Sequence, residues 1–363
     1  MNANDSSAVT TAGPASVVHP RQLAVADFST YALIIDARSP REFAEDHIPG
    51  AVNLPVVGDE EYAEVGTRHK TDKHAAYLLG VEYSLRNIAN QIKPLISRHG
   101  PHDRFLVYCF RGGKRSRLWA DNLRTIGYEV DVLAGGWKRY RSWVRSGLET
   151  LPPTLRYRVL AGPTGCGKTR LLQALRAEGQ QVLDLEEIAC HRGSLLGDLP
   201  AQPQPSQKLF DSALLDALRR FHPAREVWIE AESKKIGDLQ LPDGLYQAMH
   251  GSPVVQLSAP MDQRVTLWRE DYPHFAQDPV GMVDKLQPLK PLIGKETLGH
   301  WQALALGGQV DELFRSVMER HYDPCYERST RKNYGRGGPA RQVVLHSLAP
   351  PQLRECARQL AEG

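Results

Sequence analysis

An apolar run that passes straight into Gly-Pro-Thr-Gly-Cys-Gly-Lys-Thr leaves a chain few ways to fold. Residues 156–161 (RYRVLA) lead into Gly162, Gly165, Cys166, Gly167, Lys168 and Thr169, the spacing of a strand, a tight glycine turn and the first turn of a helix. The amides of such a turn surround a diphosphate, the lysine adds a point charge to its terminal oxygens, and the threonine hydroxyl is set to bind magnesium. The helix that must follow, KTRLLQALRAEG, has Leu171, Leu172 and Leu175 at helical spacing and stops at Gly179. Cys166 is incidental to that chemistry. The turn sees only a phosphate chain, so it does not say what that chain is attached to.

A second anion site is written earlier, in VYCFRGGKRSR. The apolar run from Arg104 to Tyr108 delivers Cys109 to a loop holding Arg111, Gly112, Gly113, Lys114, Arg115 and Ser116. The glycines let successive amides turn inward, and a helix expected from Lys114 to Ile126 adds its positive N-terminus, all of which lowers a thiol pKa. A free thiol in a strand is most often a core residue. Two arginines beside it have no use in an apolar core, which favours a reactive thiolate. Asp36 and Arg38, at the tip of the strand ALIIDAR, belong near the same rim, either serving the anion or merely pairing with each other. After that strand, Ser39, Pro40 and Glu42 form a helix start in which serine and glutamate cap reciprocally.

At 363 residues the chain exceeds one ordinary core, and Leu151-Pro152-Pro153-Thr154 is the natural junction, since proline ends the helix before it. Short apolar runs alternating with helical patterns predict parallel sheets in both halves, an α/β fold throughout. Five cysteines with no CxxC spacing fit neither a disulfide framework nor a zinc site and imply a reducing, cytoplasmic setting. No apolar run is long enough to span a bilayer, and the first 21 residues read as disordered.

The net charge of +3 decides nothing about nucleic acid, but the basic residues cluster around positions 111–117, 138–145 and 328–341, as either RNA contacts or solvated faces. Arg331, Lys332 and Arg336 make the tail the best electrostatic candidate, with Tyr334 and Trp137 as possible stacking partners for unpaired bases. The runs QVLDLEE and EVWIEAES read as strands ending in acids, where Asp184 or Glu230 could order water around a metal. Arg264 and Arg269 could close over a diphosphate, whereas Trp268 between them reads as a buried aromatic. His191, Arg192 and Ser194 form a polar turn near the expected diphosphate.

DARSPREF at 36–43, HIPGAVN at 47–53 and the Cys109 loop resemble a rhodanese domain. That resemblance implies a cysteine that carries sulfur or selenium. Five residues separate Cys109 from Arg115, one more than in the simplest sulfurtransferases, a width that resembles phosphatases of the same fold and suits a tetrahedral phosphate. Together with DLE at 184–186, ACHRGS at 189–194 and ESKKIG at 232–237, the chain from about residue 22 onward resembles the tRNA 2-selenouridine synthase family.

The resemblance implies an N-terminal rhodanese-like parallel-sheet domain over 22–150 and a C-terminal P-loop NTPase-like α/β domain over 151–363. It implies an enzyme that replaces sulfur of the wobble 2-thiouridine of tRNA with selenium from selenophosphate, through an S-geranyl intermediate made from geranyl diphosphate. On that basis Cys109 is the nucleophile, attacking selenium to form a selenosulfide while Arg111 and Arg115 hold the phosphate. Magnesium at Thr169 is expected and no tightly bound cofactor. The partners implied are a tRNA anticodon loop and an enzyme that produces selenophosphate. The rival from the residues alone is a rhodanese-fold phosphatase or sulfurtransferase fused to a nucleotide-dependent kinase-like domain.

Overall fold

A computed structural model describes residues 17–18, 28, 30–333 and 340–362. The chain divides into two compact units between Ser146 and Gly147.

The first unit is built on β1 (Val17–Val18), β2 (Leu33–Asp36), α1 (Pro40–Glu45), β3 (Ala51–Asn53), α2 (Asp59–Thr71), α3 (Lys73–Ile96), β4 (Arg104–Tyr108), α4 (Lys114–Ile126), β5 (Glu129–Leu133) and α5 (Gly136–Thr150). Its five strands are all parallel in the order β1-β5-β4-β2-β3. Central strands covered on both faces need continuous apolar runs, and Ile35, Phe105, Leu106, Val107 and Tyr108 are fully buried. Trp119 is also fully buried and donates its indole N–H to the Leu54 carbonyl at 2.8 Å, tying α4 to the segment after β3. The reciprocal cap of α1 forms as expected: Ser39 Oγ accepts from the Glu42 amide, and a Glu42 carboxylate oxygen accepts from the Ser39 amide at 3.1 Å.

The second unit contains β6 (Arg156–Ala161), α6 (Lys168–Ala177), β7 (Gln181–Leu183), α7 (Leu185–Ala189), α8 (Gln207–Arg219), β8 (Glu226–Glu230), the short hairpin β9 (Lys235–Ile236) and β10 (Leu239–Gln240), α9 (Asp243–His250) and β11 (Val254–Ser258). A helical layer follows: α10 (Met261–Asp271), α11 (Pro273–Gln277), α12 (Pro279–Lys285), α13 (Lys290–Leu306), α14 (Val310–Val317) and α15 (Asp323–Asn333). The chain then returns to the sheet as β12 (Arg341–Val344) and closes with α16 (Pro350–Ala361). The main sheet is again wholly parallel, in the order β12-β11-β6-β8-β7, with β6 at its centre. The helical layer has its own core of Trp268, Trp301, Phe314 and Met318, so Trp268 is the buried aromatic the sequence suggested.

Two expectations are corrected. The helix before the proline pair runs to Thr150 and the division falls inside it, since its last turn belongs to the second unit, where a Cβ at Gly147 would lie 2.8 Å from the Leu215 side chain. Val17–Val18, within the stretch expected to be disordered, pair in parallel with Val132 and Leu133; the rest of 1–21 lies outside the described residues. The helix Asp59–Thr71 was not anticipated. It and α3 form an antiparallel hairpin, held where Gly80 meets Val65 and Asn87 donates to Glu61 at 2.6 Å.

Candidate functional site

The end of β4 sets Cys109 at the head of its loop with 3% of its surface exposed. The Gly113 amide donates to its Sγ at 3.3 Å, and Ser116 Oγ lies 3.3 Å from the same sulfur. The back of the loop is backbone alone: the Trp137 amide donates to the Cys109 carbonyl at 2.8 Å and the Lys138 amide to that of Phe110 at 3.0 Å. That approach requires glycine at 136, where φ is +54° and a Cβ would stand 2.1 Å from the Cys109 carbonyl oxygen. The sulfur therefore faces an amide, a hydroxyl and the start of α4, groups suited to a bound anion.

Arg115 pairs with Glu42 at 2.6 Å and its guanidinium stands 5.7 Å from the Tyr62 ring. Burial alone would lower its pKa, but the Glu42 bond and charge, reinforced by the charge at Cys109, raise it. Arg111 and Lys114 are exposed and lean on Phe110 and Tyr77, at 5.7 and 4.3 Å.

Asp36 and Arg38 do not serve an anion. They are 0% and 1% exposed and paired at 2.6 Å, with Arg38 also donating to the Asp46 carbonyl at 2.6 Å beneath the Trp137 ring. Trp137 is itself buried, donating to Asp46 at 2.7 Å, and so is not a stacking surface for RNA. Asp36→Ala would strand the guanidinium without its counter-charge. We expect it to cost about 3–5 kcal/mol, read as a lower urea midpoint, whereas a reactive-rim role would alter turnover at unchanged stability.

In the second unit, β6 hands over to the phosphate loop. Gly165 and Gly167 have φ of +75° and +89°, and Lys168 Nζ donates to the Gly162 carbonyl at 2.9 Å, lying back across the loop. Cys166 points the other way, fully buried among Leu160, Leu171 and Leu257, and burial pushes its thiol pKa up. Arg264 is also structural: it donates to the Thr164 carbonyl at 2.8 Å and pairs with Asp323 at 2.6 Å, bracing the loop through its backbone. Arg269 is exposed, paired with Asp311 at 3.0 Å, and is not brought to the loop.

Thr169 Oγ1 lies 3.2 Å from Glu186 and 3.4 Å from Glu230. Carboxylate oxygens of Glu186, Glu230 and Glu232 lie within 4.8 Å of one another. Glu230 is fully buried, and its Oε1 has no hydrogen-bond partner. Three converging acids, a hydroxyl and an orphaned buried oxygen fit a hard divalent cation such as magnesium. Asp184 is instead the cap of α7, accepting from the Glu187 amide at 2.9 Å. The sequence reading had singled out Glu230 but not Glu186 or Glu232. The signal was the repeat of Glu at alternate positions, 230 and 232, where a strand ends.

Burial first, and then the neighbouring negative charges, raise all three pKa values: Glu186 to about 7, Glu232 to about 8, Glu230 well above the carboxylate range. Because the folded values exceed the unfolded ones, the stability contribution is complete at acid pH and is lost as pH rises toward 8. In metal-free buffer the melting temperature should fall between pH 5 and pH 8, and magnesium should restore it at the alkaline end. Glu232→Gln should flatten both responses.

The polar turn sits against this cluster, since a Cβ at Gly193 would lie 2.8 Å from Glu232. His191 is buried, accepts from the Gly193 amide at 3.1 Å, faces Asp198 at 3.4 Å, and has its pKa lowered by burial. It staples the turn. Arg192 donates to the Asp271 carbonyl at 2.7 Å, stands 4.7 Å from the Tyr272 ring, and exerts its charge on Glu186. The Ser194 amide donates to the Arg192 carbonyl at 2.7 Å. Of the tail candidates, Arg336 and Tyr334 lie outside the described residues, and Arg331 and Lys332 are described only as backbone at the end of α15.

Among the described residues no helix is long and apolar enough to cross a membrane. Residues 22–142 match the rhodanese-like domain, and residues 155–287 match the tRNA 2-selenouridine synthase AAA domain. A tRNA 2-selenouridine synthase of Nitrosomonas europaea is 36% identical over 265 residues, 71% of this chain and 68% of that one. Those of Cupriavidus pinatubonensis and a Sulfurovum species are 34% and 35% identical, each over 84% of this chain and 90% of theirs. With both domains matched in order and both loops formed, the chain belongs to the tRNA 2-selenouridine synthase family of enzymes.

Proposed function

We propose that this enzyme converts 2-thiouridine at the wobble position of tRNA into 2-selenouridine, with geranyl diphosphate and selenophosphate as co-substrates. The observation that supports this is the presence in one chain of two loops of different make: a glycine turn with lysine and carboxylates, and a thiol loop with five residues between Cys109 and Arg115.

In the first step the thiocarbonyl sulfur attacks C1 of the isoprenoid, the C1–O bond breaks, and diphosphate departs. Loop amides and Lys168, once it swings from the Gly162 carbonyl, receive the growing charge. A magnesium ion held by Thr169, Glu186, Glu230 and Glu232 would supply further positive charge to that leaving group.

The alkylated sulfur is now itself a leaving group. Selenium of selenophosphate attacks C2 of the base, and the geranylthiolate leaves. The remaining Se–P bond must break. Attack of Cys109 on selenium would leave phosphorus with the electron pair, at the phosphite level, whereas attack on phosphorus balances: the S–P bond forms, Se–P breaks, and water later releases phosphate. The Gly113 amide, Ser116 and Arg115 would receive that phosphoryl group.

The test is to incubate the purified chain with a 2-thiouridine anticodon stem-loop, geranyl diphosphate and selenophosphate, and to follow nucleoside mass. An S-geranyl and then a selenium-bearing nucleoside are expected. An unchanged nucleoside, with phosphate released from simple phosphoesters instead, would favour a phosphatase.

A further inference from the structure

Aromatic side chains normally carry the core, yet Tyr62 and Tyr77 are 50% and 53% exposed, and among the described residues they are the only aromatics so open to solvent. They stand on the two helices of the α2–α3 hairpin, and each is touched by a cation from the same place. Lys114 Nζ is 4.3 Å from the Tyr77 ring and the Arg115 guanidinium 5.7 Å from the Tyr62 ring. Lys114 and Arg115 are consecutive residues at the start of α4, next to Gly113, whose amide holds the Cys109 sulfur. His69 packs its edge on Tyr77 at 5.8 Å, and Leu78 and Val81 continue the apolar strip along α3 at 60% and 48% exposure.

We infer that Tyr62 and Tyr77 form a stacking platform for unpaired bases of an RNA loop, placed to steady the strand beside the target uridine while that uridine enters the Cys109 loop. The inference rests on the reading of the substrate as tRNA and names the protein surface that reading lacks now that Trp137 is buried. An exposed ring offers a π-face that every base can use, and the exposed Lys114 ammonium beside it offers a partner for the flanking phosphate. A second copy of the chain would use the apolar strip but has no need of cations stacked on the rings, and a lipid surface would take up Leu78 and Val81 without needing the ring faces, so vesicle binding is measured beside RNA binding. Duplex RNA presents no free base faces and would pass the platform by.

The experiment measures binding of the full chain to an anticodon stem-loop and to a blunt duplex of the same composition, with 2-aminopurine next to the target position. Tyr62→Ala with Tyr77→Ala should weaken stem-loop binding about ten- to a hundredfold and remove the 2-aminopurine quenching. Duplex binding and melting temperature should stay as in the wild type, and the paired Phe variants should restore both lost signals. Stem-loop affinity and quenching indistinguishable from wild type would overturn the platform, as would loss of vesicle binding or self-association in place of RNA binding. If the wild type bound and quenched as described but left the nucleoside unchanged, the proposed function would fall while the platform stood.

Discussion

Replacing Cys109 by serine is expected to lower formation of 2-selenouridine by at least about a thousandfold, the scale on which removal of a nucleophile acts, while leaving S-geranylation of the RNA at the wild-type rate. A hydroxyl can take the same hydrogen bond from the Gly113 amide, so the loop should keep its shape and the loss should be chemical. Nucleoside mass analysis would show the base that still carries the phosphoryl group on selenium accumulating in place of 2-selenouridine. If selenation continued at an undiminished rate in that variant, Cys109 would have no part in breaking the Se–P bond.

Lys168→Ala should have the complementary effect. Lys168 lies back across the glycine turn, and removal of a single charge-stabilising donor costs about a hundred- to a thousandfold. Geranylation should fall by that factor. Supplied with RNA already carrying the S-geranyl group, the same variant should form 2-selenouridine normally. A lysine variant that alkylates RNA like the wild type would remove the glycine turn from the mechanism.

Both loops were legible in the sequence because each is local: its strand, glycines and helix start lie within thirteen residues, and backbone conformation follows from residue type. The reciprocal cap at Ser39 and Glu42 was legible for the same reason. What distant segments do to one another was not. Asp36 and Arg38 were left between two readings, and Asp46, from beyond α1, decided for burial by accepting from Arg38. Arg264 resembled a ligand-binding arginine until Asp323, 59 residues on, proved to be its partner. Glu186 and Glu232 sit on separate elements that only the crossover between parallel strands brings together. Clusters of basic residues likewise overstated the free charge, since Arg115 and Arg141 answer to Glu42 and Asp46. The helical layer after Ser258 was mostly unread, its amphipathic faces having no partner until the whole layer assembles.

Glu42 performs two tasks with one carboxylate, closing the reciprocal cap of α1 and holding Arg115 at 2.6 Å. Retuning the thiol loop for another anion by moving Arg115 would therefore fray a helix start, and loosening that start would misplace the arginine. Descendants of this sequence seeking new chalcogen or phosphoryl substrates would find the route through Glu42 closed to single changes, and would have to vary the outward-facing Arg111 and Lys114 instead.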